Sequence, residues 1–311
     1  MGRIVYYGLA VPFSHLPLIV LYGFSGVFYL LLISILPYRK KVITQNLTHS
    51  FPNKSAKEIR QLRRKFYRYF ADLMVESLKL LGISKKELLQ RISVENPELL
   101  DTYFQQKKSV ILISSHLNNW EFIILAQDLL FEHQAIGIGM PLSNPYWHRK
   151  ITAKRERYGM VVTDPNSYKE TLKSYDKVPT ATLILNDQSP SKVANSYWYN
   201  FLNRETAFYF GAEIMANQFN QPVIYLKLKK QKRGRYSIEL KEITASPRAE
   251  EYGKILREYI IQLENDILEK PEYWLWSHKR WKKGVPPNLE EIKKNHEDRF
   301  IQNFRKEKIQ H

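Results

Sequence analysis

The sequence predicts an α/β chain: an N-terminal membrane-anchor helix followed by a single domain with a mixed, mostly parallel sheet flanked by helices. Three observations carry this reading. An uncharged apolar run, LPLIVLYGFSGVFYLLLISIL, fills positions 16–36; short β-branched runs alternate with helical segments from residue 109 to 186; and a strand pair, PVIYLKLKK with RYSIELKEI, follows. The chain divides accordingly into an anchor segment 1–38, an α/β domain 39–285 and a charged C-terminal tail 286–311.

The apolar run is long enough to cross a hydrocarbon core of about 30 Å at about 1.5 Å per helical residue. A cleaved signal peptide fits less well, because the run exceeds an h-region and no small-x-small site follows. Arg39, Lys40 and Lys41 come directly after it, whereas Arg3 alone precedes it. The positive-inside rule therefore assigns the rest of the chain to the cytoplasmic face of an inner membrane. The uncharged stretch reaches back to Ile4, and a break at His15 and Pro17 would give a re-entrant or half-buried first segment, so the anchor need not be one straight helix.

Ser55 and Glu58 form a capping box that opens a helix closed by Gly82. Its apolar face reads Ile59, Leu62, Phe66, Phe70, Leu73 and Met74; the other face carries Arg60, Arg63, Arg64, Lys65 and Arg68, which suits either water or anionic lipid. Ser84 and Glu87 repeat the capping pattern. SVILISS, AIGIGM, MVVT and TATLILN then read as strands, and WEFIILAQDLLF, NPYWHRKITAKRERYG and SYKETLKSYDK as the helices between them. TAFYFGAEIMANQFN reads as a helix, the strand pair follows, and AEEYGKILREYIIQLENDILEK is a long helix. Beyond Pro286 the pattern is that of a surface helix or a loose tail.

Composition narrows the chemistry. The chain has 311 residues, 44% of them hydrophobic, which is enough to bury a full core. Its 48 Lys+Arg against 31 Asp+Glu leave a formal charge of +17, which calls for an anionic partner: nucleic acid, acidic lipid or an acidic carrier protein. With no cysteine at all, disulfide scaffolds, thiol nucleophiles and cysteine metal sites are excluded. No His/Asp/Glu cluster has ligand spacing, so neither a metal nor another cofactor is expected.

In a parallel sheet, reactive groups collect at the carboxyl ends of strands. SVILISS runs into His116, followed by Leu117, Asn118, Asn119, Trp120 and Glu121. On a continuous helix residues five apart lie about 140° apart, so the two side chains meet only if His116 precedes the helix. Glu121 can then accept the imidazole N–H, fixing the tautomer and leaving the other ring nitrogen as a base. TATLILN delivers Asp187 and Gln188 to the same sheet edge, and the helix over 145–158 adds Arg149, Lys154, Arg155 and Arg157. Taken singly, each of these also fits a structural role: a strand-end histidine, a turn aspartate, a solvated charge run. WLWSHKRWKK places three tryptophans among Lys279, Arg280, Lys282 and Lys283, a pattern shared by nucleic-acid stacking platforms, interfacial segments and core-packed ends; His278 has no evident partner and reads as structural.

The combination of the apolar run with QNLTHSFPNKS, SSHLNNWE, MPLSNPYWHRKITAKRERYG, LNDQSP, FLNRETAFYFGAEIMA and PEYWLWSHKRWKK resembles the lipid A biosynthesis acyltransferases, the late lauroyl/myristoyl transferases of the lysophospholipid acyltransferase superfamily, in phrasing most like the branch of Bacteroidetes-type bacteria. The resemblance covers the chain from the anchor to Pro286. It implies that His116 is a general base and Glu121 its orienting carboxylate, and that Asp187 matches a family strand-end aspartate. Arg155 or Arg157 would match an arginine that handles phosphate or the oxyanion, with Arg149 in the same substrate-binding set. It implies an acyl donor on acyl carrier protein, with acyl-CoA as the alternative, and a hydroxyl of a lipid A precursor as acceptor.

Ser189, Pro190 and Ser191 stand where many members have a glycine, and Phe201-Leu202-Asn203 where the better-known enzymes have Phe-Phe-Gly. These departures leave the His/Glu pair intact and bear on acyl length and acceptor. A lysophospholipid or an amino-acid lipid would use the same chemistry. A non-catalytic basic module for membrane or nucleic acid would explain the charge but not the strand-end residues, so no nucleic-acid partner is expected.

Overall fold

The computed structural model describes residues 2–35 and 38–305; Leu36, the last residue of the apolar run, and 306–311 of the tail lie outside the described residues. The strands are β1 (Ile92–Val94), β2 (Val110–Ser114), β3 (Gln134–Ile138), β4 (Val161–Thr163), β5 (Thr180–Leu185), β6 (Ser196–Phe201), β7 (Arg204–Tyr209), β8 (Val223–Lys232) and β9 (Arg235–Thr244). The helices are α1 (Gly2–Val5), α2 (Val11–Ser14), α3 (Leu18–Leu30), α4 (Lys40–Ser50), α5 (Ala56–Lys79), α6 (Lys85–Leu89), α7 (Glu98–Gln105), α8 (Trp120–Leu130), α9 (Pro145–Arg155), α10 (Tyr168–Ser174), α11 (Gly211–Phe219), α12 (Lys254–Glu269) and α13 (Leu289–Phe304). Wider π turns join α1 to α2 (Tyr6–Ala10) and extend α3 (Leu31–Ile35).

Seven strands make one sheet in the order β1-β9-β8-β2-β5-β3-β4. Every pairing in it is parallel except the β8–β9 hairpin, which gives the mixed, mostly parallel α/β fold that the alternating pattern predicts. Crossover helices cover both faces, so a central strand is apolar on both sides. In β2 all five residues are buried: Ile111 and Ile113 join a core with Phe66 and Tyr259, while Val110 and Leu112 join another with Phe122 and Leu125.

The capping box of α5 forms as the sequence predicts. The Glu58 N–H donates to Ser55 Oγ at 3.3 Å, and the Ser55 N–H donates to Glu58 Oε2 at 2.8 Å. Ile59, Leu62, Phe66 and Leu73 are buried, but Met74 is 45% exposed because the inward side of that turn is taken by Asp72 and Glu76.

One expectation changes, and two open readings are decided. Thr206–Tyr209 is not the start of a helix but part of β7, paired with β6, and α11 begins only at Gly211. A β-branched and aromatic run fits a pleated, half-buried surface, and here the strand partner decides. The tight turn puts Leu202 at φ 51° and Asn203 at φ 64°, the mirror-image geometry favoured in two-residue hairpins. Leu202 N–H donates to Glu264 Oε1 at 2.9 Å and Asn203 Nδ2 to the Ser50 carbonyl at 3.2 Å, which holds the turn.

The tryptophan-rich segment packs inward: Trp274 and Trp276 are 2% and 0% exposed, so they are core rather than a stacking platform. Of the two readings of the tail, residues 289–304 adopt the helix. Phe300 of α13 packs on Phe210 and Tyr252, and Tyr252 Oη lies 2.6 Å from His296 Nδ1.

Candidate active site

Strand register builds the site. β2 and β5 run parallel with Ser114 opposite Leu185, and the Asn186 N–H donates to the Ser114 carbonyl at 3.0 Å. Two residues beyond that pairing, His116 and Asp187 stand side by side. Asp187 Oδ1 lies 2.6 Å from His116 Nδ1, and Oδ2 accepts from the His116 backbone N–H at 3.1 Å and from Trp274 Nε1 at 2.8 Å. An ionised carboxylate only accepts, so Nδ1 carries the imidazole proton and Nε2 presents its lone pair, here to the Gln188 amide at 3.1 Å. Burial alone would raise the Asp187 carboxyl, but the charge and hydrogen bonds of His116, together with Trp274, outweigh it and hold it below the usual value.

The loop after His116 is pinned from all sides. Asn118, at φ 56°, donates its amide Nδ2 to the Leu228 carbonyl at 2.7 Å and its backbone N–H to the Tyr273 carbonyl at 2.9 Å, while its own carbonyl accepts from Tyr69 Oη at 2.7 Å. Asn119 Nδ2 reaches Glu76 Oε2 at 3.1 Å. The edge of Trp120 packs on the His116 ring with centroids 4.7 Å apart. These contacts order the imidazole before any substrate arrives.

Glu121 does not take the place expected for it. His116 does precede α8, but the Glu121 carboxylate turns toward α9, where it accepts from Lys154 Nζ at 2.8 Å and Arg155 Nη2 at 2.5 Å. The orienting contact to His116 comes from Asp187 instead, because β5 is the strand beside β2 whereas the first turn of α8 faces α9. Burial opposes ionisation of Glu121, yet the two cations hold its carboxyl far below the ordinary carboxylate range.

Of the arginines, Arg155 borders the site through Glu121. Arg157 donates to the carbonyls of Leu81 at 2.7 Å and Ile83 at 2.8 Å, so its guanidinium is spent on the turn that follows α5. Arg149 is exposed on α9, beside Tyr7.

Sequence spacing gives no sign of two further residues. Trp274 reaches Asp187 from a segment 87 residues away. His278 accepts from the Ser189 N–H at Nε2, 3.2 Å away, and burial pushes its imidazole down to about 4, so it is neutral at pH 7. A cleft of about 250 Å³, lined by Tyr38, Phe70, Met74, Trp120, Leu275 and His278, opens next to this cluster.

A fixed Asp–His pair, an imidazole nitrogen engaged only by the Gln188 amide, and a cleft with Tyr38, Phe70, Met74 and Trp120 in its wall suit proton transfer during attack on an acyl group. The family model described as bacterial lipid A biosynthesis acyltransferase matches residues 5–283. The chain belongs to that family. No individual curated protein matches it. The match spans α1 to the tryptophan-rich segment, so the lipid A biosynthesis acyltransferase unit includes the N-terminal apolar helices as well as the sheet that carries His116 and Asp187.

Proposed function

We propose that this acyltransferase moves a fatty acyl chain from a thioester on acyl carrier protein to a hydroxyl of a lipid A precursor, at the cytoplasmic face of the inner membrane. His116 is the general base and Asp187 the carboxylate that orients it. The observation that carries the assignment is the 2.6 Å contact between Asp187 Oδ1 and His116 Nδ1 at adjoining strand ends.

In the reaction the acceptor oxygen attacks the thioester carbonyl while its proton passes to His116 Nε2. The tetrahedral oxyanion collapses, the C–S bond breaks, and the departing thiolate takes the proton from the imidazolium that Asp187 stabilises. In this reading the acceptor hydroxyl takes the place of the Gln188 amide, which lies 3.1 Å from Nε2. With no cysteine in the chain, no thioester forms on the enzyme, and direct attack by the acceptor requires no covalent intermediate. Glu121, Lys154 and Arg155 form a charged clasp that fixes the His116 loop against α9.

Two supports connect the donor and the membrane. The +17 charge draws an acidic carrier and an anionic bilayer alike, and the stretch Leu18–Ile35 is long and apolar enough for a membrane. The test uses purified protein in mixed micelles with an acyl-loaded carrier protein and a tetraacylated lipid A precursor, read by mass spectrometry of the product. A mass gain of one acyl chain with the native protein and none with His116→Ala supports the reading; equal transfer by both overturns it. Mass spectra of lipid A from cells lacking the chain then identify the acyl length.

A further inference from the structure

Both ends of the N-terminal apolar stretch are held by the same α/β domain. At the first end Tyr6 packs edge-on against Trp147 at 6.0 Å, and Lys150 Nζ donates to Tyr7 Oη at 2.7 Å. Ser14 sits so close over Gly82 that a Cβ there would come within 2.5 Å of its Oγ. At the second end Tyr38 stacks on Phe70 at 5.6 Å, its carbonyl accepts from Tyr67 Oη at 2.9 Å, and Arg39 Nη1 donates to the Ser277 carbonyl at 2.9 Å.

Between these ends α3 runs antiparallel along α5. Lys79 Nζ donates to the Leu16 carbonyl at 3.2 Å, Tyr22 Oη to Glu76 Oε1 at 2.8 Å and Ser25 Oγ to Asp72 Oδ1 at 2.5 Å, and the Arg68 guanidinium lies 4.3 Å from the Tyr29 ring centre. Arg233, from the β8–β9 hairpin, pairs with Asp72 and covers the Tyr22 ring. The docked face of this apolar helix thus buries Leu18 and Leu21 against Val75 and pairs its polar groups with those of α5 and the hairpin.

A helix that crosses a hydrocarbon core about 30 Å thick leaves its two ends on opposite sides, where one domain cannot touch both. Crossing would also carry Asp72 and Glu76 into lipid beside α3, where ionised carboxylates are costly. The opposite face of α3 is bare and apolar, with Ile19, Val27 and Leu30 each more than half exposed and Phe24 46% exposed. Cations flank it: Arg149 and Lys150 beside Tyr7, and Arg64, Lys65, Arg68 and Lys230 around Tyr29, where they outnumber the carboxylates Asp72, itself paired with Arg233, and Glu272. An apolar stripe with basic flanks is complementary to an anionic monolayer.

We propose that α3 lies in the plane of a single leaflet, with its Ile19, Phe24, Val27 and Leu30 face in the acyl layer and the flanking cations at anionic headgroups, so that the chain does not cross the membrane. The inference rests on the membrane reading given above and narrows it to one leaflet. Tyr38, at the end of the stretch, lines the cleft beside Trp120, so a lipid acceptor enters sideways from the leaflet in which α3 lies.

The cysteine-free chain makes each introduced cysteine unique. A Cβ at Gly8 approaches only Ile4, at 4.0 Å, and one at Gly23 or Gly284 meets nothing within 4 Å, so all three positions accept Cys. In intact spheroplasts a membrane-impermeant maleimide is expected to leave Gly8→Cys and Gly284→Cys equally unlabelled, and to label both after lysis. Labelling of Gly8→Cys alone in intact spheroplasts overturns the in-plane arrangement while leaving the membrane reading standing.

A second readout uses full-length Gly23→Cys carrying an environment-sensitive fluorophore, in vesicles of phosphatidylglycerol and phosphatidylethanolamine. Spin labels near the headgroup are expected to quench it several-fold more strongly than labels at the bilayer centre, and the reverse order overturns the proposal. Absence of quenching by either overturns both the proposal and the membrane reading, and the acyl-transfer assay tests the chemistry separately.

Discussion

Two buried carboxylates lie close to the same imidazole loop, and their partners differ in kind. Asp187 faces a histidine and a tryptophan N–H, so its charge is balanced by a group that gains and loses a proton. Glu121 faces Lys154 and Arg155, whose charges are permanent at neutral pH. A carboxylate in the first setting can follow the protonation of its neighbour through a reaction, whereas one in the second is locked as an anion and serves to hold helices together. His116 and Glu121, five residues apart in sequence, therefore have separate partners, and in the proposed reaction the orienting role goes to the more distant aspartate.

The largest effect should separate these tasks directly. His116→Ala is expected to lower transfer by about 10³–10⁴-fold, and Asp187→Asn by about 10²–10⁴-fold through loss of the correct tautomer, each with the fold retained. Steady-state rates with matched urea midpoints check this; an Asp187→Asn enzyme at native rate would break the assignment.

Next in size is Glu121→Gln, which leaves Lys154 and Arg155 without their counter-charge and should cost about 2–3 kcal/mol of stability, somewhat less than a fully buried pair because Arg155 is partly exposed. The lowered carboxyl of Glu121 supplies stability above the ordinary carboxylate range, and that contribution disappears as the pH falls through its lower native value. Urea titrations of wild type and variant at neutral pH measure the difference. A Glu121→Gln enzyme of native stability that has lost its activity would move Glu121 into the proton chemistry and reverse the comparison.

A smaller effect follows from His278. Its native imidazole is pushed down to about 4, below the value of about 6.5 in an unfolded chain, so the unfolded state takes up the proton first. This contribution is therefore complete above about pH 6.5 and lost toward pH 4, by about 1–2 kcal/mol after solvent screening is allowed for. His278→Gln should flatten that part of the acid-stability curve. The smallest expected change is Arg157→Ala, which frees helix-end carbonyls and should cost about 1 kcal/mol with kcat unchanged.

Much of the fold is legible in the amino-acid sequence because its signals are local. The Ser55–Glu58 cap, the continuous apolar run of β2 and the hairpin of β8 and β9 depend on residues within a few positions of each other. Thr206–Tyr209 is legible only in part, since an aromatic and β-branched segment fits two periods until β6 pairs with it. The tryptophans near residue 276 carry no sign of burial in their spacing, because neighbouring Lys and Arg residues disguise a segment whose rings enter the core.

By itself, the sequence determined the α/β class, the strand-end position of His116 and Asp187, and the excess of cations that an anionic partner must meet. Tertiary structure decided which carboxylate the histidine uses. Asp187 lies 71 residues from His116 and reaches it through the parallel register of β2 and β5, while Glu121 is drawn to Arg155, 34 residues away, by the packing of α8 on α9. A hydrogen bond spans less than about 3.2 Å, so its partner is chosen by the placement of whole elements, and distance along the chain cannot rank the candidates.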